Sequence, residues 1–437
     1  MSETSGEAVE VSVAVPGHSK RQSMIVGIAS MLGTTIEWYD FFIYGTAAAL
    51  VFNKIFFPAF DPITGTLAAF ATYSVGFFAR PLGGIVFGHF GDRIGRKSML
   101  LATLLLMGIP TIVIGLIPGY DKIGYWSAVI LVAMRLIQGI AVGGEWGGAV
   151  LMAVEHAPAG KKGFFGSLPQ TGVAPGLILS SLAMAAVARL PEADMLSWGW
   201  RIPFLASVVL LAVGWFIRIR IAESPDFERM KQRGQEVDVP VLHVIKHCHW
   251  ALLKVAGARM AEVTWFYTVA TFALTYGTMK LGLSKPLMLN AIMVGAVVAL
   301  VAMPLSGIVG DRVGHRKVFG LGAVAICLFS FPFFKLLASG QPSSVYLAMI
   351  VAIGVIYSLL YATEGNLFSC QFPAEVRYSG ISLAVQVSGA IGGGLAPMVA
   401  TWLLQKGNGH PGLLAAYLAT LGVVGIFCVS RMRAEQV

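Results

Sequence analysis

Residues 88–97 read GHFGDRIGRK, and a related sequence, GDRVGHRK, returns at residues 310–317. The two copies share a glycine, an aspartate and an arginine in the same order, and about half of the 437-residue chain separates them. Each copy follows the second long apolar run of its half of the chain. One short basic segment could arise by accident, but two copies at this spacing indicate a duplicated membrane unit.

The composition is that of an integral membrane protein. Apolar residues make up 56% of the chain and charged residues 12%, whereas soluble domains average about 25% charged residues. The charges are clustered, and the windows of roughly 20 residues between them are long enough to cross a bilayer as helices. The net charge of +9 therefore indicates basic loops on the cytoplasmic side of a membrane, and no nucleic-acid partner is expected.

Twelve membrane spans can be drawn along the sequence. They are predicted at about 24–52, 66–90, 98–118, 124–153, 164–189, 199–220, 251–279, 286–309, 317–337, 344–368, 377–404 and 411–430. All of them must be helices, because every backbone polar group needs a hydrogen-bond partner inside lipid. The predicted fold class is an all-α membrane protein with twelve transmembrane helices in two pseudo-symmetric six-helix halves.

The polar stretch 221–250 is the longest connection and predicts a linker between the two halves. The predicted organisation is a cytoplasmic tail at 1–23, a six-helix half at 24–220, a cytoplasmic linker at 221–250, a second six-helix half at 251–430 and a tail at 431–437. The loops on one predicted side collect nineteen lysine and arginine residues, Arg218 among them, against seven on the other side. This asymmetry predicts that both termini are cytoplasmic.

Charged residues inside the predicted spans are the candidates for function, because a charge at the bilayer centre costs about 2.5–3.5 kcal/mol on insertion scales. Glu37 and Asp40 lie three positions apart in the first span, which places them on one helical face. The further charges within spans are Arg135 and Glu145 in the fourth span, Arg259 and Glu262 in the seventh and Glu364 in the tenth. Arg80 lies at a predicted span end, which favours a gate or anchoring role over substrate contact.

Several sequence segments resemble a known family. The paired motif resembles the loop between helices two and three of the major facilitator superfamily, and its echo between helices eight and nine. Six segments resemble the metabolite:proton symporter family within it, namely residues 33–41, 88–93, 135–139, 143–148, 197–204 and 377–380. The carriers of shikimate and other organic acids look closest among its members. The resemblance covers all of the chain except its termini and implies the major facilitator fold.

The resemblance implies a secondary transporter in a bacterial-type plasma (inner) membrane. We expect uptake of a small organic acid, such as shikimate or a related hydroxylated, aromatic or dicarboxylic acid, together with a proton. Asp40, with Glu37, would carry the coupling proton, and Arg135 would hold the substrate carboxylate or neutralise the carrier carboxylates. The other predicted substrate-binding residues are Trp38, Tyr39, Glu145, Arg259, Glu262, Tyr267 and Gln386. The expected partners are the acid, the proton and the lipid bilayer; no cofactor or metal is expected, and the chain is expected to act as a monomer.

The paired motif is predicted to form an inner gate. Its predicted residues are Gly91, Asp92, Arg93, Gly95 and Arg96 in the first copy, and Asp311, Arg312, Gly314 and Arg316 in the second. Asp92 comes just before the third span, where a carboxylate meets the unpaired amides and the positive end of that helix. The resemblance implies a latch role for Asp92 and Asp311. His315 stands where the first copy has Arg96, so the two gates are not expected to be electrostatically equal.

Three alternatives remain open from the sequence. A betaine- or proline-type osmolyte proton symporter would share the fold and the motifs. A non-transporting sensor paralogue would keep the fold without the charges, although Glu37, Asp40 and Arg135 are all present here. A membrane-embedded enzyme would need a nucleophile with its base or a cluster of metal ligands, and the sequence shows neither pattern. We therefore predict that the chain is not an enzyme.

Overall fold

Twelve long helices make up the computed structural model, which describes residues 20–60, 62–233 and 237–433. The predicted tails therefore lie largely outside the described residues, as do residues 234–236 of the predicted linker. The helices of the first half are α1 Lys20–Ala47, α2 Pro62–Arg93, α3 Arg96–Leu116, α4 Trp126–Glu155, α5 Lys162–Val187 and α6 Arg201–Ile219. Those of the second half are α7 His249–Tyr267, α8 Lys285–Val313, α9 His315–Ala338, α10 Pro342–Ser369, α11 Ala374–Lys406 and α12 Gly412–Ser430.

The helix boundaries follow local sequence signals. Gly95 and Gly314 have φ angles of 119° and 96°, a region that side chains disfavour, so each glycine allows the abrupt turn between two long helices. Ser284 caps the first turn of α8 by accepting a hydrogen bond from the backbone of Leu287 at 3.4 Å, and a proline follows it inside the first turn. The linker forms two short helices, Pro225–Gln232 and Pro240–His247.

Nine of the long helices in the described part of the chain are apolar and long enough to cross a membrane on composition alone. The other three are α1, α2 and α7, which carry Glu37, Arg80, Arg259 and Glu262 at the centre of the molecule. Because these side chains lie between the two halves, they avoid lipid. The lower hydropathy of these three helices therefore reflects charged residues that line the site, to which α4, α10 and α11 also contribute side chains.

The two halves meet through equivalent helix pairs. Helix α2 of the first half packs on α11, and α8 of the second half packs on α5. Several helices widen locally into π-helical turns, at Ala48–Phe52 after α1, at Thr268–Phe272 and Tyr276–Lys280 after α7, and at Ile350–Tyr357 and Gly389–Gly393 within α10 and α11. Such turns concentrate near functional sites, and here Tyr357 and Gly389 face the space between the halves.

Candidate functional site

A small cavity lies between the two halves at the level of the buried charges. It has a volume of about 40 Å³, room for about three water molecules. The side chains and glycine that line it are Glu37, Trp38, Arg80, Val142, Trp146, Arg259, Glu262, Val263, Phe266, Tyr267, Tyr357, Tyr361, Val385, Gln386 and Gly389. The structure therefore brings six of the predicted site residues together: Glu37, Trp38, Arg259, Glu262, Tyr267 and Gln386.

Asp40 lies beside this cavity, within the first half. Its two carboxylate oxygens accept hydrogen bonds of 2.8 Å from the hydroxyls of Thr111 on α3 and Ser207 on α6. Gln138 on α4 donates to the Thr111 hydroxyl at 2.7 Å, and Arg135 donates to the Gln138 amide oxygen at 3.2 Å. A hydrogen-bonded chain therefore connects Asp40 with Arg135, so the aspartate senses the arginine through two intervening side chains.

Arg135 lies within the first half beside Asp40, and not at the central cavity. Its guanidinium carbon lies 4.4 Å from the ring centre of Tyr44 and 5.4 Å from that of Phe41, which are cation–π distances. Arg135 lines the space beside Asp40 but is absent from the lining of the central cavity. The geometry makes it a partner of the proton-carrying candidate and not a direct wall of the central cavity.

Glu37 and Arg80 line both spaces. Glu37 is 7% exposed, and in the described part of the chain its carboxylate has no hydrogen bond or ion pair. Arg80 is half-buried; it has no ion pair among the described residues, and its guanidinium shares a side-chain hydrogen bond with the hydroxyl of Tyr267. The sequence placed Arg80 at a span end, but α2 extends to Arg93, so Arg80 lies more than three turns inside the helix.

The second half contributes a triad of charged residues. One guanidinium nitrogen of Arg259 lies 2.5 Å from a carboxylate oxygen of Glu262 and 2.6 Å from one of Glu364. Glu364 is fully buried, and among the described residues its other oxygen has no hydrogen-bond partner. The sequence predicted that Arg259 and Glu262 lie close together on one helix. It gave no sign that Glu364 on α10 would join them. Two carboxylates compensate this arginine, so it has no charge left for an anionic ligand.

Aromatic rings form most of the remaining wall. Phe266 stacks on Tyr357 at a centroid distance of 4.5 Å, and Tyr357 stacks on Tyr361 at 5.0 Å. Trp146 on α4 donates a hydrogen bond of 3.0 Å to the hydroxyl of Tyr361 on α10, which joins the two halves at the cavity. Trp146 is not among the predicted site residues, although it lies within the glycine-rich segment 143–148 that resembles the symporter family.

Two predicted site residues lie away from the central cavity. The hydroxyl of Tyr39 donates to the carbonyl of Pro203 at 2.8 Å, so this ring joins α1 to α6. Glu145 is held within the first half by Arg218, which donates to both of its carboxylate oxygens, and by the Thr103 hydroxyl at 2.7 Å. Arg218 is itself buried, whereas the sequence counted it among the loop charges. Glu145 and Arg218 thus form a structural ion pair that ties α4 to α6.

The first copy of the paired motif closes one end of the molecule. Asp92 accepts hydrogen bonds from the backbone amides of Tyr378 and Ser379 at 3.1 and 2.9 Å. These amides belong to α11 of the other half, whereas the sequence predicted that Asp92 would contact the amides at the start of the third span. The backbone amides at the start of α3 instead donate to Glu223 of the linker. Its carboxylate accepts hydrogen bonds from the amides of Arg96 and Lys97 at 3.1 and 3.2 Å.

Arg96 extends this closure into a charge network. Its guanidinium lies 3.5 Å from Asp92 and 3.7 Å from Glu155, and it donates to the carbonyl of Ala374 at 3.2 Å. Arg377 of the second half lies 3.0 Å from Glu155 and 2.8 Å from Asp226 of the linker. Helices from both halves and the linker are therefore tied together at the end that carries the basic motif.

The second copy makes the equivalent contact across the halves. Asp311 accepts hydrogen bonds of 2.7 and 2.9 Å from the amides of Gly163 and Phe164, at the first turn of α5. His315 lies 3.5 Å from Asp311 in the position that Arg96 has beside Asp92, and Asn366 lies 3.2 Å from its other ring nitrogen. In both latches an aspartate accepts hydrogen bonds from backbone amides of the other half. The neighbouring basic residue differs: it is an arginine, Arg96, beside Asp92 and a histidine, His315, beside Asp311.

The other predicted gate residues divide into two groups. Gly91 contacts the ring of Tyr378 so closely that a Cβ there would lie 2.0 Å from a ring carbon. Arg93 and Arg312 are exposed, and Arg316 donates to the carbonyls of Ser430 and Met432 at the end of α12. These three arginines thus lie outside the contact between the halves.

Comparison with known proteins shows which transporters the chain resembles. The family profile described as sugar (and other) transporter matches residues 25–247. The shikimate transporter of Escherichia coli (strain K12) is 41% identical over 395 residues, which cover 90% of this chain and 90% of that protein. The proline/betaine transporter of the same strain is 34% identical over 411 residues, covering 91% of this chain and 81% of that protein.

A solved structure shows the same fold at low sequence identity. The proton:xylose symporter XylE of the major facilitator superfamily, bound to 6-bromo-6-deoxy-D-glucose, superimposes with a TM-score of 0.75 and 16% identity. The match covers 95% of this chain and 96% of XylE. The predicted all-α fold of twelve membrane helices in two halves is thereby confirmed.

Proposed function

Because the chain belongs to the sugar (and other) transporter family of the major facilitator superfamily, we propose that it takes up a small organic acid together with a proton. The relatives and the fold are those of transporters and not of enzymes. The substrate class and the proton coupling are our inference from the site. We propose shikimate or a related hydroxylated, aromatic or dicarboxylic acid as the substrate.

The central cavity carries this proposal. Besides the paired Arg259 and Glu262, it presents Arg80 and Glu37, and neither of these two lies within ion-pair distance of an opposite charge among the described residues. Leaving both charges without close partners in a small buried site costs free energy unless a ligand or a proton compensates them. An organic acid with a proton supplies both, since the anion neutralises the arginine and the proton neutralises the glutamate. Hydroxyl groups on the acid would find partners in Gln386 and the tyrosine hydroxyls.

Asp40 is the other candidate for the coupling proton. In the described part of the chain, its carboxylate accepts hydrogen bonds from neutral hydroxyls, and its connection to the charge of Arg135 runs through Thr111 and Gln138. A rotation of any of these side chains would change how strongly the arginine stabilises the ionised aspartate. We infer that substrate binding alters this chain and so couples proton uptake and release to the state of the carrier.

The paired motif would provide the alternation between the two membrane sides. Asp92 and Asp311 each bind backbone amides of the opposite half, so both contacts must break when this end opens. We propose that this end faces the cytoplasm, because it carries the basic motif. A bacterial-type inner membrane, cytoplasmic termini and action as a monomer complete the proposal.

Uptake into proteoliposomes tests the function directly. Purified protein is reconstituted, an inward pH gradient is imposed, and the accumulation of radiolabelled shikimate is followed with and without a protonophore. We expect accumulation that the protonophore abolishes, with alkalinisation of the medium as protons enter. Equal uptake with and without the pH gradient would contradict proton coupling, and no uptake of any organic acid would contradict the substrate class.

The aromatic wall favours one other substrate class. Trp38, Phe266 and Tyr357 face the same cavity as Glu37 and Glu262, and rings near carboxylates suit quaternary ammonium groups. The proline/betaine transporter of Escherichia coli is among the relatives, so an osmolyte symporter is the second candidate. Competition decides between the two: glycine betaine in excess should leave shikimate uptake unchanged if the first proposal holds.

A further inference from the structure

We propose that Arg80 is the residue that binds the carboxylate of the transported acid, in place of the Arg135 that the sequence suggests. This inference rests on the proposed function, since it assumes a substrate with a carboxylate. The contacts of Arg80 differ from those of Arg135, Arg218 and Arg259, the three buried arginines near the site.

The surroundings of each arginine show why Arg80 differs. Arg259 is compensated by two carboxylates, and Arg218 is paired with Glu145. Arg135 hydrogen bonds to the Gln138 amide and lies against the rings of Tyr44 and Phe41. None of these three presents an uncompensated charge to the central cavity.

Arg80 has no carboxylate within ion-pair distance among the described residues, and it lines the central cavity. Its guanidinium carbon lies 4.4 Å from the ring centre of Phe77 and 5.3 Å from that of Phe41, and it shares a hydrogen bond with the hydroxyl of Tyr267. A neutral hydroxyl and two aromatic faces hold the guanidinium in place, but they occupy only part of its five N–H donors and do not neutralise its charge. A planar, positively charged group with free donors matches a carboxylate, which can accept two parallel hydrogen bonds from it.

The position of Arg80 also explains how one site can bind both the acid and the proton. Glu37 lines the same two spaces as Arg80, and the region around Asp40 lies directly behind them. A carboxylate on Arg80 removes the positive charge that would otherwise stabilise an ionised Glu37. Binding of the anion therefore favours a proton on the glutamate, which links the two ligands through one arginine.

Binding measurements on the purified transporter test this role. The probes are shikimate, benzoate, succinate and glycine betaine, each compared with its uncharged ester, or for betaine with its methyl ester, by tryptophan fluorescence. The probe that binds the unsubstituted protein most tightly is then measured with Arg80→Gln and Arg80→Lys. We expect Kd for the acid to rise about tenfold to a hundredfold in Arg80→Gln. The rise should be smaller in Arg80→Lys, which keeps the charge but loses the planar fork.

Arg220→Gln is the matched control, because it removes the same charge from an exposed residue that packs on Phe216, and it should leave Kd unchanged. The acid-to-ester comparison on the unsubstituted protein keeps the test valid even if Arg80→Gln is unstable. The inference is overturned if the ester binds as tightly as the acid, if Arg80→Gln keeps Kd within about threefold, or if no carboxylate binds. Binding that depends on Arg80, but without uptake driven by a pH gradient, would refute the proposed symport and still support the role of Arg80.

Discussion

The latch formed by Asp92 allows a quantitative prediction about opening of the gate. Its side chain is fully buried, and it accepts two hydrogen bonds from the backbone amides of Tyr378 and Ser379, near the start of α11. In Asp92→Asn, the amide oxygen can still accept one of these bonds, but the NH2 group faces the other backbone N–H without an acceptor. The substitution therefore weakens the closed state and leaves the central cavity unchanged.

The expected size follows from the lost contact. A hydrogen bond to a charged group contributes about 1.5–3 kcal/mol, and a factor of ten in a population corresponds to about 1.4 kcal/mol. Asp92→Asn should therefore raise the population that is open at this end by about ten- to a hundredfold, as long as the open state remains the minor one. Substrate affinity should change little, because Asp92 lies outside the cavity lining.

A cysteine at Ser382 reports on the opening. Ser382 is buried on α11 against Gly84 and Gly147 of the first half, so it becomes accessible only when the halves separate. In a background with the four native cysteines replaced by serine, the rate of maleimide labelling should rise with the open population. Asp238→Asn, an exposed linker substitution, is the control. Equal labelling rates in Asp92→Asn and the control would refute the latch.

Three other predictions concern coupling, orientation and stability. Asp40→Asn should still bind substrate and exchange it at equal concentrations, but it should not accumulate substrate under a pH gradient; accumulation would assign the coupling proton elsewhere, with Glu37 as the next candidate. A cysteine at the exposed position Ser343 should be labelled in intact cells, and one at Asp238 only after permeabilisation; the opposite pattern would reverse the orientation. Glu145→Gln should lower the stability by about 3–5 kcal/mol, because it leaves a buried arginine without its partner, and should leave substrate Kd unchanged; a thermal unfolding curve that matches the unsubstituted protein would show that the pair contributes little.

The gate shows how far repeated motifs can be interpreted without a structure. The duplication at 88–97 and 310–317 correctly indicated two halves, because a repeated motif at half the chain length constrains the architecture whatever the packing. The predicted partner helix of Asp92 was wrong, because the helix that starts nearest to it in the sequence is α3, whereas its partners lie on α11. Its partners, Tyr378 and Ser379, belong to the other half, and a contact so distant along the chain leaves no local pattern.

The buried charges show the same limit at the site. The sequence identified Glu37, Asp40, Arg259 and Glu262 as candidates, because a charged residue within an apolar span can be recognised whichever face of the helix it lies on. The sequence did not show which of them would face a partner and which would face the cavity. Glu364 completes the Arg259 triad from α10, and this pairing depends on how two distant helices rotate against each other.

Composition and spacing fix the membrane class, the twelve helices and the duplication, because the lipid requires long apolar helices whatever their neighbours are. They do not fix the roles of the arginines. Arg80 and Arg135 are both arginines in the first half, but α2 turns one toward the central cavity and α4 turns the other toward Tyr44 and Gln138. The face that a helix presents is set by the side chains packed against it from elsewhere in the chain, so the assignment of the substrate arginine comes from the packing of the two halves.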